Sequence, residues 1–167
     1  KDDEGLILLA AACGEKGDVA NALSASKSAV GVAPQSAEAW YHYGYSLART
    51  GELQDALSAN DKAIVLRKDY AEAYCIRAYI LGKSGKPLDA LQAAEHALTL
   101  QPGYRKALKA KAVALAQLGR LQEAIETLKG VLEVKPDDAH AYLLLGITLS
   151  RDDHLPSRGS RGLRKGY

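Results

Sequence analysis

The chain has 167 residues, 47% of them hydrophobic and 25% charged, with a formal net charge of +2. That balance suits one folded domain with a sizeable core and excludes wholesale disorder. The apolar residues are mostly Ala and Leu, with no Phe or Met and Trp40 alone as a Trp; such a set favours closely packed helices, since Ala has the best helix propensity and lets backbones approach, over strands, which want alternating Val, Ile and aromatics.

A step of 34 residues runs through the sequence without insertion or deletion. It aligns Gly17, Gly51, Gly85 and Gly119, then Ala22, Ala56, Ala90 and Ala124. Pro34, Pro102 and Pro136 follow the same step, with Lys68 in the fourth place. A large residue opens each unit: Leu6, Trp40, Tyr74, Leu108 and Tyr142. The predicted units are 3–36, 37–70, 71–104 and 105–138, with a partial fifth from 139. In the second unit Trp40, Tyr43, Gly44 and Leu47 fall at helical spacing. Gly51 then offers the tolerance of positive φ that a helix end wants. Glu52 and Asp55 lead into a second stripe of Ala56, Leu57, Ala63 and Ile64, as suits a helix N-terminus. The third unit repeats the design with Tyr74, Ala78 and Leu81, then Gly85, then Ala90, Ala94, Ala97 and Leu98, and Pro102 stops it. Each unit is thus a helical hairpin with two apolar faces, and neighbours must stack to bury both.

These residues resemble the tetratricopeptide repeat (TPR), most closely over Ala37 to Tyr70, where the large aromatic, Gly44, Leu47, Gly51, Ala56 and Ala63 all match the family pattern. The resemblance covers residues 3–150; pentatricopeptide and armadillo-type units run longer. It implies an all-α, right-handed superhelical solenoid of antiparallel helix pairs, four full repeats plus one extra helix. Some positions depart from the pattern. Arg77 and Lys111 stand where Leu9, Tyr43 and Leu145 stand in other units. Asn60 replaces an apolar or small residue and is expected to weaken its local packing. In the fifth unit Tyr142, Leu145, Gly146 and Leu149 keep the first-helix pattern, but Pro156, Gly159 and Gly162 break the second. Residues 139–150 are therefore expected as a lone terminal helix. Leu143, Leu144 and Ile147 make it more apolar than a capping unit should be, which leaves self-association through this helix open.

In the family, first helices line a concave face that holds a partner peptide or helix. Carried over position by position, the resemblance puts Tyr41, Tyr45 and Arg49 of the second unit in that groove. Cys75, Tyr79 and Lys83 follow from the third, Lys106, Lys109 and Val113 from the fourth, and His140, Leu143 and Ile147 from the fifth. Tyr supplies rigid amphipathic area and Lys steers acidic partners. Packing between helices is the competing use for Tyr41, Tyr45 and Tyr79. The chaperone-tail clamp of some family members finds only Lys106 in place among Tyr41, Tyr45, Ile76, Lys106 and Ala110. The alternative register offers Ile7, Ala11, His42, Glu72 and Ile76, where nothing fits. The asparagine ladder of the O-GlcNAc transferase repeats is missing too, its positions holding Leu8, His42, Ile76, Ala110 and Leu144. Charge drifts along the chain, from two basic and four acidic groups in 3–36 to seven and five in 105–138 and five and two in 139–167. The basic end favours acidic partners, although a solvated surface accounts for so modest a charge.

Signals for chemistry are weak. Gly82-Lys83-Ser84 looks like the end of a P-loop, but Arg77 stands where the first Gly is needed, and the preceding segment reads as a helix instead of a strand. His42, His96, His140 and His154 lack partners at ligand spacing, so no metal and no cofactor are expected. Two cysteines, Cys13 and Cys75, with no CxxC, give neither a disulfide framework nor a redox pair, and fit a cytoplasmic setting. Leu6 to Cys13 resembles the end of a lipoprotein signal, yet Asp2, Asp3 and Glu4 precede it where a basic region belongs, and it fits the repeat register. No apolar run reaches the ~18 residues of a membrane span. The segment 151–167, with Arg158, Arg161, Arg164 and Lys165 among Ser and Gly, reads as a flexible basic tail; without interleaved aromatics it gives no support to stacking on bases. The expectation is a non-catalytic interaction scaffold with a protein or peptide partner, and neither nucleic acid nor membrane. The alternatives are the targeting module of a larger enzyme, or a scaffold that stacks through its terminal helix.

Overall fold

A computed structural model describes residues 2–152. The tail from residue 153 onward, and the reading made of it, lie outside the described residues. Among these, nine α-helices follow one another: α1 (Asp2–Lys16), α2 (Val19–Val32), α3 (Ala37–Thr50), α4 (Leu53–Leu66), α5 (Ala71–Lys83), α6 (Pro87–Leu100), α7 (Arg105–Gln117), α8 (Leu121–Val134) and α9 (Ala139–Asp152). The first eight form four antiparallel pairs, and α9 stands alone as a further first helix.

The punctuation is local chemistry. Gly17, Gly51, Gly85 and Gly119 turn the chain between the helices of a pair at φ of +82°, +94°, +72° and +76°, a region that costs a side chain energy and glycine almost nothing. Ser36 caps α3 by accepting the Ala39 N–H, and Asp18 caps α2 by accepting that of Asn21. Pro87 opens α6, where its missing N–H is not needed. Glu52 precedes α4 without capping it through its side chain; its carboxylate instead accepts the Thr50 hydroxyl.

Small residues set the spacing. Ala22, Ala56, Ala90 and Ala124 are all buried, and Ala56 and Ala90 lie against Gly44 and Gly82 of the first helices of their pairs. At Gly44 the crossing is closest: a Cβ there would lie 3.1 Å from the Ala56 carbonyl oxygen and 3.2 Å from the Asn60 nitrogen. Between pairs, each second helix packs on the next first helix, and the first helices α1, α3, α5, α7 and α9 also touch in succession, while the second helices do not touch one another. The stack therefore curves with its first helices inside.

The departures from the repeat pattern have local causes. Arg77 on α5 pairs with Asp61 on α4. Lys111 on α7 pairs, 34 residues later in both members, with Glu95 on α6 at 3.1 Å. Each base thus ties its first helix to the second helix of the preceding pair. Asn60 is fully buried and its Nδ2 donates to the Ala73 carbonyl at 3.0 Å, linking α4 to α5. Its Oδ1 has no partner, so the position gains a tie and carries an unsatisfied acceptor together. The end of the stack shows what is missing. Leu47, Leu81 and Leu115 are 3%, 6% and 1% exposed, whereas Leu149, their equivalent on α9, is 40% exposed. Tyr142, Leu143 and Ile147 are exposed beside it.

Candidate functional site

The inner face encloses one cavity of about 560 Å³, lined by α1, α3, α5, α7 and α9 with Ala90 of α6. Its floor is small and apolar, with Ala10, Gly14, Ala78, Gly82 and Ala114 in the lining, because close first-helix contacts demand small residues. From α3 come Tyr41, Tyr45 and Arg49, and from α5 come Cys75, Tyr79 and Lys83. Lys106, Lys109 and Val113 project from α7, and His140 from the start of α9. Ten of the twelve positions carried over from the sequence resemblance thus face one space. Leu143 and Ile147 do not line it; they are exposed on α9.

Side chains on this face differ in how far they are committed. The Arg49 guanidinium donates to the Gly14 carbonyl at 2.8 Å and lies 5.8 Å from the Tyr45 ring centroid. Gln117, two repeats later, donates to the Gly82 carbonyl at 3.3 Å, so this position ties neighbouring first helices together. Lys109 is held in a largely buried pair with Asp138, at 2.8 Å and 3.0 Å. Asp138 also accepts the Ala141 N–H at the start of α9. The Lys109 bond first, and that N–H second, hold its carboxyl below the ordinary aspartate range. Lys83 and Lys106 are exposed and form no ion pair among the described residues; Lys83 lies 5.2 Å over the Tyr79 ring.

The aromatic part of the lining is electrically quiet. Tyr41 packs against Tyr70 with ring centroids 5.3 Å apart and edge-on to His42 at 4.8 Å. Burial pushes the Tyr41 phenol far above its ordinary range and holds His42 below its own, neutral at physiological pH. The Cys75 thiol, also buried, is pushed up to about 11, which leaves it protonated and a poor nucleophile. The position-by-position carry-over did not include His42, Ala10, Gly14 or Ala78; the small residues that recur at the repeat positions of Gly44 (Ala10, Ala78) and Ala48 (Gly14, Gly82) were the signal that could have found the floor. Gly82-Lys83-Ser84 is the end of α5, where the Ser84 hydroxyl turns back to the Ile80 carbonyl. Leu6 to Cys13 is the middle of α1. Among the described residues no three His, Cys, Asp or Glu side chains gather as metal ligands, and no helix is long and apolar enough to cross a membrane.

No curated protein matches the chain. Among solved structures, a thermophilic TPR protein of Thermus thermophilus is 25% identical with a TM-score of 0.77, over 90% of this chain and 82% of its own. MamA of Desulfovibrio magneticus is 22% identical with a TM-score of 0.70, over 92% and 86%. YrrB, described as a TPR protein with an unusual peptide-binding site, is 22% identical with a TM-score of 0.63, over 89% and 76%. Two tetratricopeptide-repeat family profiles match residues 8–73 and 83–146, together most of the sequence. With its all-helical stack of paired helices, the chain belongs to the tetratricopeptide-repeat family, whose repeats are protein-interaction scaffolds.

Proposed function

We propose that the inner cavity is the binding site and that it holds a peptide or helix of a partner protein. The observation that carries this reading is the lining itself: half-exposed tyrosines over an apolar floor, rimmed by lysines, within a cavity of about 560 Å³. Preformed apolar concavities with a few polar groups are where ligands bind. Tyr45 and Tyr79 give amphipathic area at little entropic cost. The likeness in fold to a TPR protein described as peptide-binding is consistent with it. Tyr45→Ala is expected to weaken capture of a partner by about 2 kcal/mol, the scale of an aromatic hot spot, while the chain stays folded. Affinity capture by native and variant chains, with their thermal melts, checks this; equal loss of binding and fold would refute the assignment.

A second reading rests on a different observation, the exposed Tyr142, Leu143, Ile147 and Leu149 of α9. Self-association through that face would bury them. Its expected mark is a sedimentation mass that rises with concentration, and a concentration-independent monomer would remove it.

A further inference from the structure

The cavity carries an uneven charge that specifies more than a peptide. Four cations line it, Arg49, Lys83, Lys106 and Lys109, against a single acid, Glu15. Two of the cations are spent: Arg49 on the Gly14 carbonyl and Lys109 on Asp138. Glu15 occupies the position of Arg49 one repeat earlier and forms no ion pair with it among the described residues. Glu72 occupies the position of Lys106 one repeat earlier but does not line the cavity or pair with it. His42 is held neutral by burial. The two lining cations with no hydrogen bond or ion pair to protein among the described residues are Lys83 at the end of α5 and Lys106 at the start of α7. Apolar walls between two such charges focus their field and favour anionic groups.

Resting on the reading that the cavity binds a partner segment, we infer that the segment is extended and carries two acidic side chains about five residues apart, one for Lys83 and one for Lys106. The spacing follows from the helices. Lys106 is equivalent to Glu72, which lies eleven residues before Lys83 on α5. That separation is about 16 Å along the axis. Adding one interhelical step of about 10 Å across gives roughly 19 Å, which an extended chain spans in five or six residues at about 3.3 Å each. The extended form is favoured by the phenols that share the cavity with the two lysines. Among the described residues the hydroxyls of Tyr41, Tyr45 and Tyr79 make no hydrogen bond to protein, and none is a buried unsatisfied atom. An extended segment offers each of them free backbone N–H and C=O groups, whereas a helix has already paired its own.

The test is selection of random nine-residue displayed peptides on the full chain, followed by titration of the selected peptides at low and physiological salt. The expected peptides carry pairs of Asp or Glu four to six residues apart. Their affinity should fall about tenfold or more in the Lys83→Glu/Lys106→Glu chain, as for charge pairs across an interface. Both lysines are exposed, so the melt of that variant should be unchanged. Selection on the reversed chain should return Lys or Arg at the same spacing. Peptides that need Tyr45 and Tyr79 but carry no acidic pair would overturn this inference and leave the groove reading standing. So would acids at helical spacing, or acidic peptides indifferent to the charge reversal. Peptides that bind equally without Tyr45 and Tyr79, or no selected peptide at all, would overturn the groove reading and this inference with it.

Discussion

Asn60→Asp is expected to destabilise the fold by about 4 kcal/mol at pH 7, the equivalent of a carboxyl whose pKa rises ~3 units on burial. Asn60 is fully buried on α4, with its amide donating to the Ala73 carbonyl and its Oδ1 already unpartnered. An aspartate there places a charge where there was a neutral acceptor, and replaces the donor facing Ala73 with a second anionic oxygen. No cation pairs with either oxygen in that space. The sign of the pH dependence follows. A folded-state pKa raised above the unfolded value leaves little penalty below about pH 4, where the acid is protonated in both states and its O–H can donate to Ala73. The penalty then grows as pH rises through the interval between the two values and stays constant above it. Urea titrations of both chains from pH 3 to pH 8 would show midpoints that meet at the acid end and diverge above it. Equal midpoints at pH 7 would mean that Asn60 is not sealed from water.

Gly44 and Gly146 hold the same repeat position, and opposite outcomes are expected of them. Gly44→Val should cost about 3 kcal/mol, the upper range for overpacking a tight contact. The new Cβ would stand 3.1 Å from the Ala56 carbonyl oxygen and 3.2 Å from the Asn60 nitrogen. Those are backbone atoms of α4, which move only if the whole helix moves. At Gly146 an added Cβ meets nothing within 4 Å, and Gly146→Ala should stabilise α9 by about 0.5–1 kcal/mol through helix propensity alone. Thermal or urea unfolding of the two variants beside the native chain decides the matter. A tolerated Gly44→Val would mean that α3 and α4 can separate without loss, and the packing described at that crossing would be wrong.

The pair of glycines also marks how far the sequence can be read. The 34-residue step aligns Gly44 with Gly146 and gives both the same role, because periodicity records what a unit is built to do. Only the three-dimensional stack shows that α4 lies on the first and that, among the described residues, nothing lies on the second. Arg77 and Lys111 read as departures from an apolar position for the same reason. Their acids, Asp61 and Glu95, sit sixteen residues earlier on another helix, a separation that no local pattern exposes. Ten of the twelve groove positions were legible because first helices must all face inward if they touch one another and the second helices do not; Leu143 and Ile147, on the last described helix, do not line the cavity.

The sequence by itself determined the fold: glycines and alanines recur in unbroken register, with prolines at three of four unit ends, and a chain that buries two faces per hairpin has to stack. It determined which side chains share the inner face, since the period fixes their direction. The tertiary structure decided which of them are available. Arg49 and Lys109 look like free cations in the sequence, yet one is bound to a carbonyl of α1 and the other to Asp138. Lys83 and Lys106 have no such partner among the described residues. Charge in the groove depends on contacts made across repeats, and those distances exist only once the helices are in place.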